Sequence, residues 1–344
     1  MKLYEISLQP ISPVATPLKG DTLFGQVCWQ ATEDPSLLEG GLEEQLRHYE
    51  ERPFAVFSSA YPRIVGPDGT VSYAFKRPDL PLEMLSRLSG GKLSCDVLQA
   101  KEQKARRWMI VPGDLELNPE HMQFLTDAEL IQSVRAGHPA ETLVDVPTYS
   151  PPAFSARFVQ AHNTINRLTF TTGTGPFAPY TQQAIVYSPG VELAVFVVID
   201  EAATDIYRMR EALHRIGKWG FGKDASIGYG RYIVPDWREV ARPSCEGVEA
   251  MYTLGPCVPQ PGSFTESFFV PFVRFGKHGS ELARHANPFK NPVIMADEGA
   301  VFVPASREAF ASPYFGRPAR NVSKAQKEAI VQGYTPYLPL RLEN

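Results

Sequence analysis

The sequence predicts an α+β protein of two modules, on three observations. Strand and helix patterns follow one another as β-α-β-β-α-β between residues 4 and 234. From about residue 245 the chain turns β-rich and is punctuated by proline. Its 344 residues suffice for about two cores. The expected division is a first module over 1–240, with a long insertion around 76–180, and a smaller one over 245–344.

The elements follow in order. Tyr4, Ile6 and Leu8 alternate with Glu5, Ser7 and Gln9, the pattern of a half-buried strand. A helix comes next, capped by Asp21 or Thr22, with Leu23, Phe24, Val27, Cys28 and Ala31 on one stripe; core packing explains that stripe. Residues 33–52 read as acidic surface loop. Residues 54–64 and 71–75 read as strands around a turn at Pro67, Asp68 and Gly69. Residues 76–140 are less regular. Within them KEQKARRW (101–108) reads as a solvated helix face, with RNA backbone contact as the sharper alternative. Residues 191–200 (VELAVFVVID) form the clearest buried strand, and 205–216 a helix with Ile206, Met209, Leu213 and Ile216 on one side. A strand at 231–234 completes a ferredoxin-like arrangement. Residues 237–247 look like a linker. Strands are expected at 251–257, 268–275, 293–295, 300–303 and 329–340, the last with an aromatic exposed beside Gly333.

Between the last helix and strand of the first module lies GKWGFGKDASIGYGRY (217–232). Five glycines are interspersed with Lys218, Lys223, Arg231, Trp219, Phe221 and Tyr229. Bare N–H groups, cations and aromatic faces suit a polyanion carrying flat bases. Two phosphate motifs nearly match and fail. Asp224 stands where a P-loop needs Ser or Thr, and Gly220-Phe-Gly222 with Ala225 only approximates the dinucleotide fingerprint. Both motifs follow a strand and open a helix, whereas this loop follows a helix and enters a strand.

Residues 155–180 read as an extended hairpin or projecting loop. Arg157, His162, Asn163, Asn166 and Arg167 are interleaved there with Phe158, Phe170 and Phe177, a mixture suited to base stacking and phosphate contact. No carboxylate or second histidine accompanies His162 within the segment, so a hydrogen-bonding histidine is favoured over a catalytic one.

The composition, with 43% hydrophobic and 21% charged residues, is that of an ordinary globular chain. Its 31 prolines, nearly twice the ~5% norm, require many loops and strand edges. A net charge of −4 argues against gripping nucleic acid by bulk charge, but leaves room for a local basic face. Four cysteines without a C-x-x-C pair, and seven scattered histidines, offer no zinc spacing, and no cofactor is expected. Reduced thiols, no signal architecture and no apolar run near 20 residues predict a cytoplasmic protein, neither exported nor membrane-embedded.

Four stretches together carry a resemblance: KGDTLFG (19–25), HNTINR (162–167), GFGKDASIGYGR (220–231) and QGYTP (332–336). With them the chain resembles the fourth subunit of the Csm effector complex of type III-A CRISPR systems, within the RAMP superfamily. The resemblance implies two ferredoxin-like (RRM/RAMP) modules, the first with a long insertion and a projecting hairpin. It implies a non-catalytic clamp holding the 5′ tag of the crRNA, touching target RNA only indirectly. Its neighbours would be the large Palm-domain subunit and a backbone RAMP subunit. The RNA-binding residues expected are Lys19, His162, Asn163, Arg167, Lys218, Trp219, Gly220, Phe221, Gly222, Lys223, Ser226, Gly228, Tyr229, Gly230 and Arg231. The alternatives are a RAMP-type crRNA-processing endoribonuclease using His162, and a protein scaffold whose glycine loop docks a neighbour.

Overall fold

The computed structural model describes residues 1–88, 105–118, 122–136, 153–279, 282 and 284–342. The chain runs β1 (Lys2–Pro10), α1 (Gly20–Glu33), α2 (Gly41–Arg47), β2 (Ala55–Val65), β3 (Val71–Lys76), α3 (Leu82–Leu88), β4 (Trp108–Pro112), β5 (Gln123–Leu125) and α4 (Asp127–Ala136). It continues β6 (Ser155–His162), β7 (Tyr180–Tyr187), β8 (Glu192–Ile199), α5 (Ile206–Trp219), β9 (Tyr232–Ile233) and β10 (Trp237–Val240). The later strands are β11 (Ala250–Thr253), β12 (Phe264–Phe268), β13 (Pro271–Arg274), β14 (Val293–Ala296), β15 (Val301–Pro304), β16 (Tyr314–Gly316) and β17 (Tyr334–Leu340).

The architecture is α+β with several antiparallel sheets. β8 lies at the centre of the largest one because seven successive residues, Leu193 to Ile199, are apolar and buried. β1 and β2 flank it antiparallel, and β9 and β10 pair the far edge of β1. The order β9-β1-β8-β2, with α1 and α5 in the two crossovers and packed on each other, is what the alternating pattern required. β3, β4 and β5 extend the sheet beyond β2.

Several local expectations change. α1 begins at Gly20, one residue before Asp21, and Asp21 caps nothing; Arg274 of β13 grips its carboxylate at 2.5 and 2.9 Å. Residues 33–52 fold into a 3₁₀ turn and α2, because Leu37, Leu38, Leu46 and Tyr49 are all drawn into the core. Residues 237–240 are a strand on β1 rather than a linker. β1 is covered on both faces. Glu5 is buried because Arg63 (2.9 Å), Arg238 (2.5 Å) and the Tyr73 hydroxyl (2.5 Å) all donate to it. Of KEQKARRW, residues 101–104 lie outside the described residues. Arg106 and Arg107 do not lie on a helix but lead into β4, and they pair with Glu129 and Asp127.

From residue 250 onward the described residues hold strands and 3₁₀ turns such as Arg307–Ala311, and no α-helix. A β-α-β-β-α-β module is therefore not what they build. The chain instead makes a sheet ordered β12-β15-β11-β17-β16 and a separate β13-β14 pair. The first of these sheets shares its core with the larger one through Tyr252, Leu254, Tyr334, Leu338 and Leu340. Gln332 fastens the two, its carboxamide accepting from Phe57 N–H (3.0 Å) and donating to Phe57 C=O (2.8 Å). Tyr334, beside Gly333, is buried against Tyr49 and Tyr314 rather than exposed.

Candidate nucleic-acid interface

α5 is a strongly amphipathic helix. Its N-cap Asp205 accepts from Arg208 N–H, and its last residue, Trp219, is 70% exposed. Gly220, at φ +105°, ends it and returns its N–H to Ile216 C=O. The chain then doubles back over the end of β1. Phe221 N–H reaches Gly230 C=O (2.9 Å), and Gly230 N–H reaches Pro13 C=O (2.7 Å). Lys223 N–H bonds Thr16 Oγ1 (2.9 Å), and Arg231 N–H bonds Ser12 Oγ (2.8 Å).

The glycines serve two purposes. At Gly230 (φ +69°) a Cβ would stand 2.5 Å from Phe221 N, and at Gly222 2.5 Å from the Thr16 side chain. These positions let segments of the protein touch one another. At Gly228 (φ +98°) a Cβ would meet nothing within 4 Å. Between them a 3₁₀ turn spans Ala225–Ile227. The N–H groups of Asp224, Ala225 and Ser226 head that turn, and no bond among the described residues engages them. Successive unengaged N–H groups are donors an anion can use, and the Asp224 carboxylate beside them, its Oδ2 buried and without a partner among the described residues, sets a negative charge against it.

The loop meets the hairpin of β6 and β7, whose register pairs His162 with Tyr180 and Gln160 with Gln182. The Tyr229 hydroxyl bonds the Gln160 carboxamide, and Lys223 Nζ bonds Gln182 Oε1. Reciprocal backbone bonds between Val14 and Ile185 (2.8 and 2.9 Å) anchor the hairpin to the body. Its tip bends at Asn166, whose Oδ1 accepts from Leu168 N–H (2.9 Å) and whose C=O accepts from Phe170 N–H (2.7 Å). Leu168 (91%) and Phe170 (83%) are exposed there, as are Asn163 and Arg167.

The expected residues therefore divide. Lys218 and Trp219, the last two residues of α5, are exposed, with Lys218 Nζ 5.7 Å from the Trp219 ring centroid, and so are Lys223, Ser226 and Arg231 in the loop. Asn163 and Arg167 are exposed on the neighbouring hairpin. Phe221 and Tyr229 are buried, so Trp219 is the aromatic left to stack. His162 lies half-buried and parallel to Tyr180 (5.2 Å, 11°), and among the described residues its buried Nε2 has no partner and no carboxylate or second histidine bonds it. Lys19 is elsewhere: its ammonium pairs with Asp297 and with Glu298 (2.8 Å), so its charge is neutralised within the fold. Sequence reasoning missed Ser12, Thr16, Gln160 and Gln182, which hold the loop. Each is an ordinary polar residue with no local pattern around it. Among the described residues no group of three or more His, Cys, Asp or Glu is placed to hold a metal, and no helix is long and apolar enough to cross a membrane.

No protein-family model matches the sequence, and no curated protein matches it. Solved structures do match in fold. The chain is similar to one in the crystal structure of a Csm1–Csm4 cassette in complex with pppApA, with TM-score 0.54, 16% identity and 100% of both chains covered. The same cassette in complex with cA4 gives the same figures. A Csm3–Csm4 subcomplex of the type III-A CRISPR-Cas interference complex gives TM-score 0.55 and 13% identity, covering 99% of this chain and 100% of that one. At these identities the likeness is one of fold.

Proposed function

We propose that this chain is the non-catalytic RNA-binding subunit of a type III-A CRISPR interference complex. In this reading it holds the 5′ tag of the crRNA, bridges the large Palm-domain subunit to the backbone RAMP subunits, meets target RNA only indirectly, and works in the cytoplasm. It comprises a ferredoxin-like RAMP module over 1–240 and a β-built module over 245–344.

The observation that carries the proposal is the set of unengaged donors in one loop. The N–H groups of Asp224, Ala225 and Ser226 offer an anion cradle, and Lys223, Arg231 and Lys218 add charge around it. Trp219 supplies an exposed face for a base, and the adjoining hairpin presents Asn163 and Arg167. The full-length likeness to the Csm1–Csm4 and Csm3–Csm4 structures supports both neighbours. Lys19 is left out of the RNA-binding set, because Asp297 and Glu298 already hold it.

The test is nuclease protection of the crRNA in the reconstituted complex. Lys218→Ala, Lys223→Ala and Arg231→Ala together are expected to expose the tag while the guide stays protected. Trp219→Ala, at a side chain 70% exposed, is expected to weaken tag retention by about 1–3 kcal/mol. An intact, fully protected tag in both variants refutes the proposal.

A further inference from the structure

A groove of about 540 Å³ lies between α1, α2 and the segments that precede β14 and β17, and RNA binding makes no use of it. One part of its wall is apolar, with Trp29 from α1, Leu42 and Leu46 from α2, and Ile330; Thr32, Glu33, His278 and Gln326 make the rest polar. Lys290 also lines it. Its N–H is fixed to Gly276 C=O (2.7 Å), and its stem lies along Gly276, where a Cβ would stand 3.1 Å from Lys290 Cδ.

Among the described residues the groups whose charge reaches the Lys290 ammonium are Cys28 and Asp21, and neither is hydrogen-bonded to it. Asp21, whose field reaches it, is held bidentately by Arg274. The Cys28 thiol beside it is pushed up to about 12 by burial and stays neutral. His278 bonds Ser323 Oγ at 2.7 Å and is held below its ordinary value by burial and by Lys290. Burial likewise lowers the Lys290 pKa, against the opposing pull of Cys28 and Asp21. Glu33, exposed at the rim, repels a multiply charged anion.

We propose that this groove binds a small monoanion on an apolar body, an aliphatic or aromatic carboxylate, with its charge on Lys290 and its body against Trp29, Leu42 and Leu46. The volume falls within the range of small-molecule sites, and one cation beside an apolar wall fixes orientation. A polyphosphate or an RNA strand fits neither the single cation nor Glu33.

Calorimetric titration of the full chain with octanoate, octanol and inorganic phosphate tests this. Octanoate is expected to bind one-to-one, and to lose at least tenfold in affinity with Lys290→Met. Octanol is expected to be weaker by a similar factor, and phosphate silent. A second readout uses the unaltered chain, so it survives a variant that fails to fold. Octanoate is expected to protect Lys290 from trace acetylation by acetic anhydride, while exposed Lys277 keeps reacting. Equal affinity in Lys290→Met, or no protection of Lys290, overturns the proposal. Protection that appears only when other subunits are added, with octanoate inert, also overturns it and marks the groove as a protein contact.

Discussion

Gly228 and Gly230 stand two residues apart in the same loop, both at positive φ, yet their substitution by alanine is expected to differ severalfold in cost. At Gly228 the new methyl enters open space. The loss is the left-handed backbone penalty, on the order of 1–2 kcal/mol. It is offset by roughly 0.4–1 kcal/mol because alanine narrows the unfolded ensemble. The net cost is about 1 kcal/mol or less. At Gly230 the same backbone terms apply, but the methyl also lands 2.5 Å from Phe221 N and nearer still to Phe221 C=O. Relief requires Phe221 to retreat, breaking its N–H bond to Gly230 C=O. An orphaned backbone donor costs about 1–3 kcal/mol. Displacing the Phe221 ring, 1% exposed, adds a packing loss of similar size. The expected total is roughly 3–5 kcal/mol. Urea unfolding of the two variants gives both numbers from the shift in midpoint at constant m-value. Equal destabilisation, or a Gly230→Ala cost below about 1.5 kcal/mol, refutes the view that Gly230 is there for internal close approach.

Two further outcomes are expected. Gln332→Leu keeps the volume but strands both Phe57 N–H and Phe57 C=O in the core, so it is expected to cost roughly 2–6 kcal/mol in the same urea assay; a loss below 1 kcal/mol is incompatible with the bridging role. Glu129 closes a capping box on α4, accepting from Thr126 N–H at 2.8 Å, and this bond, aided by the Thr126 hydroxyl and Arg106, holds its carboxyl below the ordinary 4.5. A depressed carboxyl stabilises the fold above the unfolded value and loses that contribution as pH falls through the folded one. Amide exchange at the start of α4, corrected for intrinsic rates, is therefore expected to accelerate as the solution is acidified below about pH 4.5. Unchanged protection down to pH 3 refutes this.

Much of the first module was legible because its signals are local. Seven consecutive apolar residues in β8 and the i, i+3, i+4 stripes of α1 and α5 declare conformation and burial together. The hairpin and the glycine loop's place between helix and strand were readable for the same reason. The Thr126–Glu129 capping box was also there to be read, and it marks the start of α4 within a stretch that otherwise looked irregular.

By itself, then, the sequence determined where backbone conformations change and which segments must be buried. It located a cation-rich, glycine-rich loop beside a projecting hairpin. Tertiary structure alone decided which way that loop's side chains face. Phe221, Tyr229 and Trp219 are alike in a sequence, yet two are enclosed by β1's end and the hairpin while the third meets solvent. It also decided that Lys19 is neutralised 278 residues away by Asp297, that Glu5 lies buried among two arginines, and that Gln332 bonds Phe57. The physical reason is range. Periodicity and turn chemistry act over a few residues, whereas a charge finds its partner, or an aromatic its cover, only once distant segments share a core.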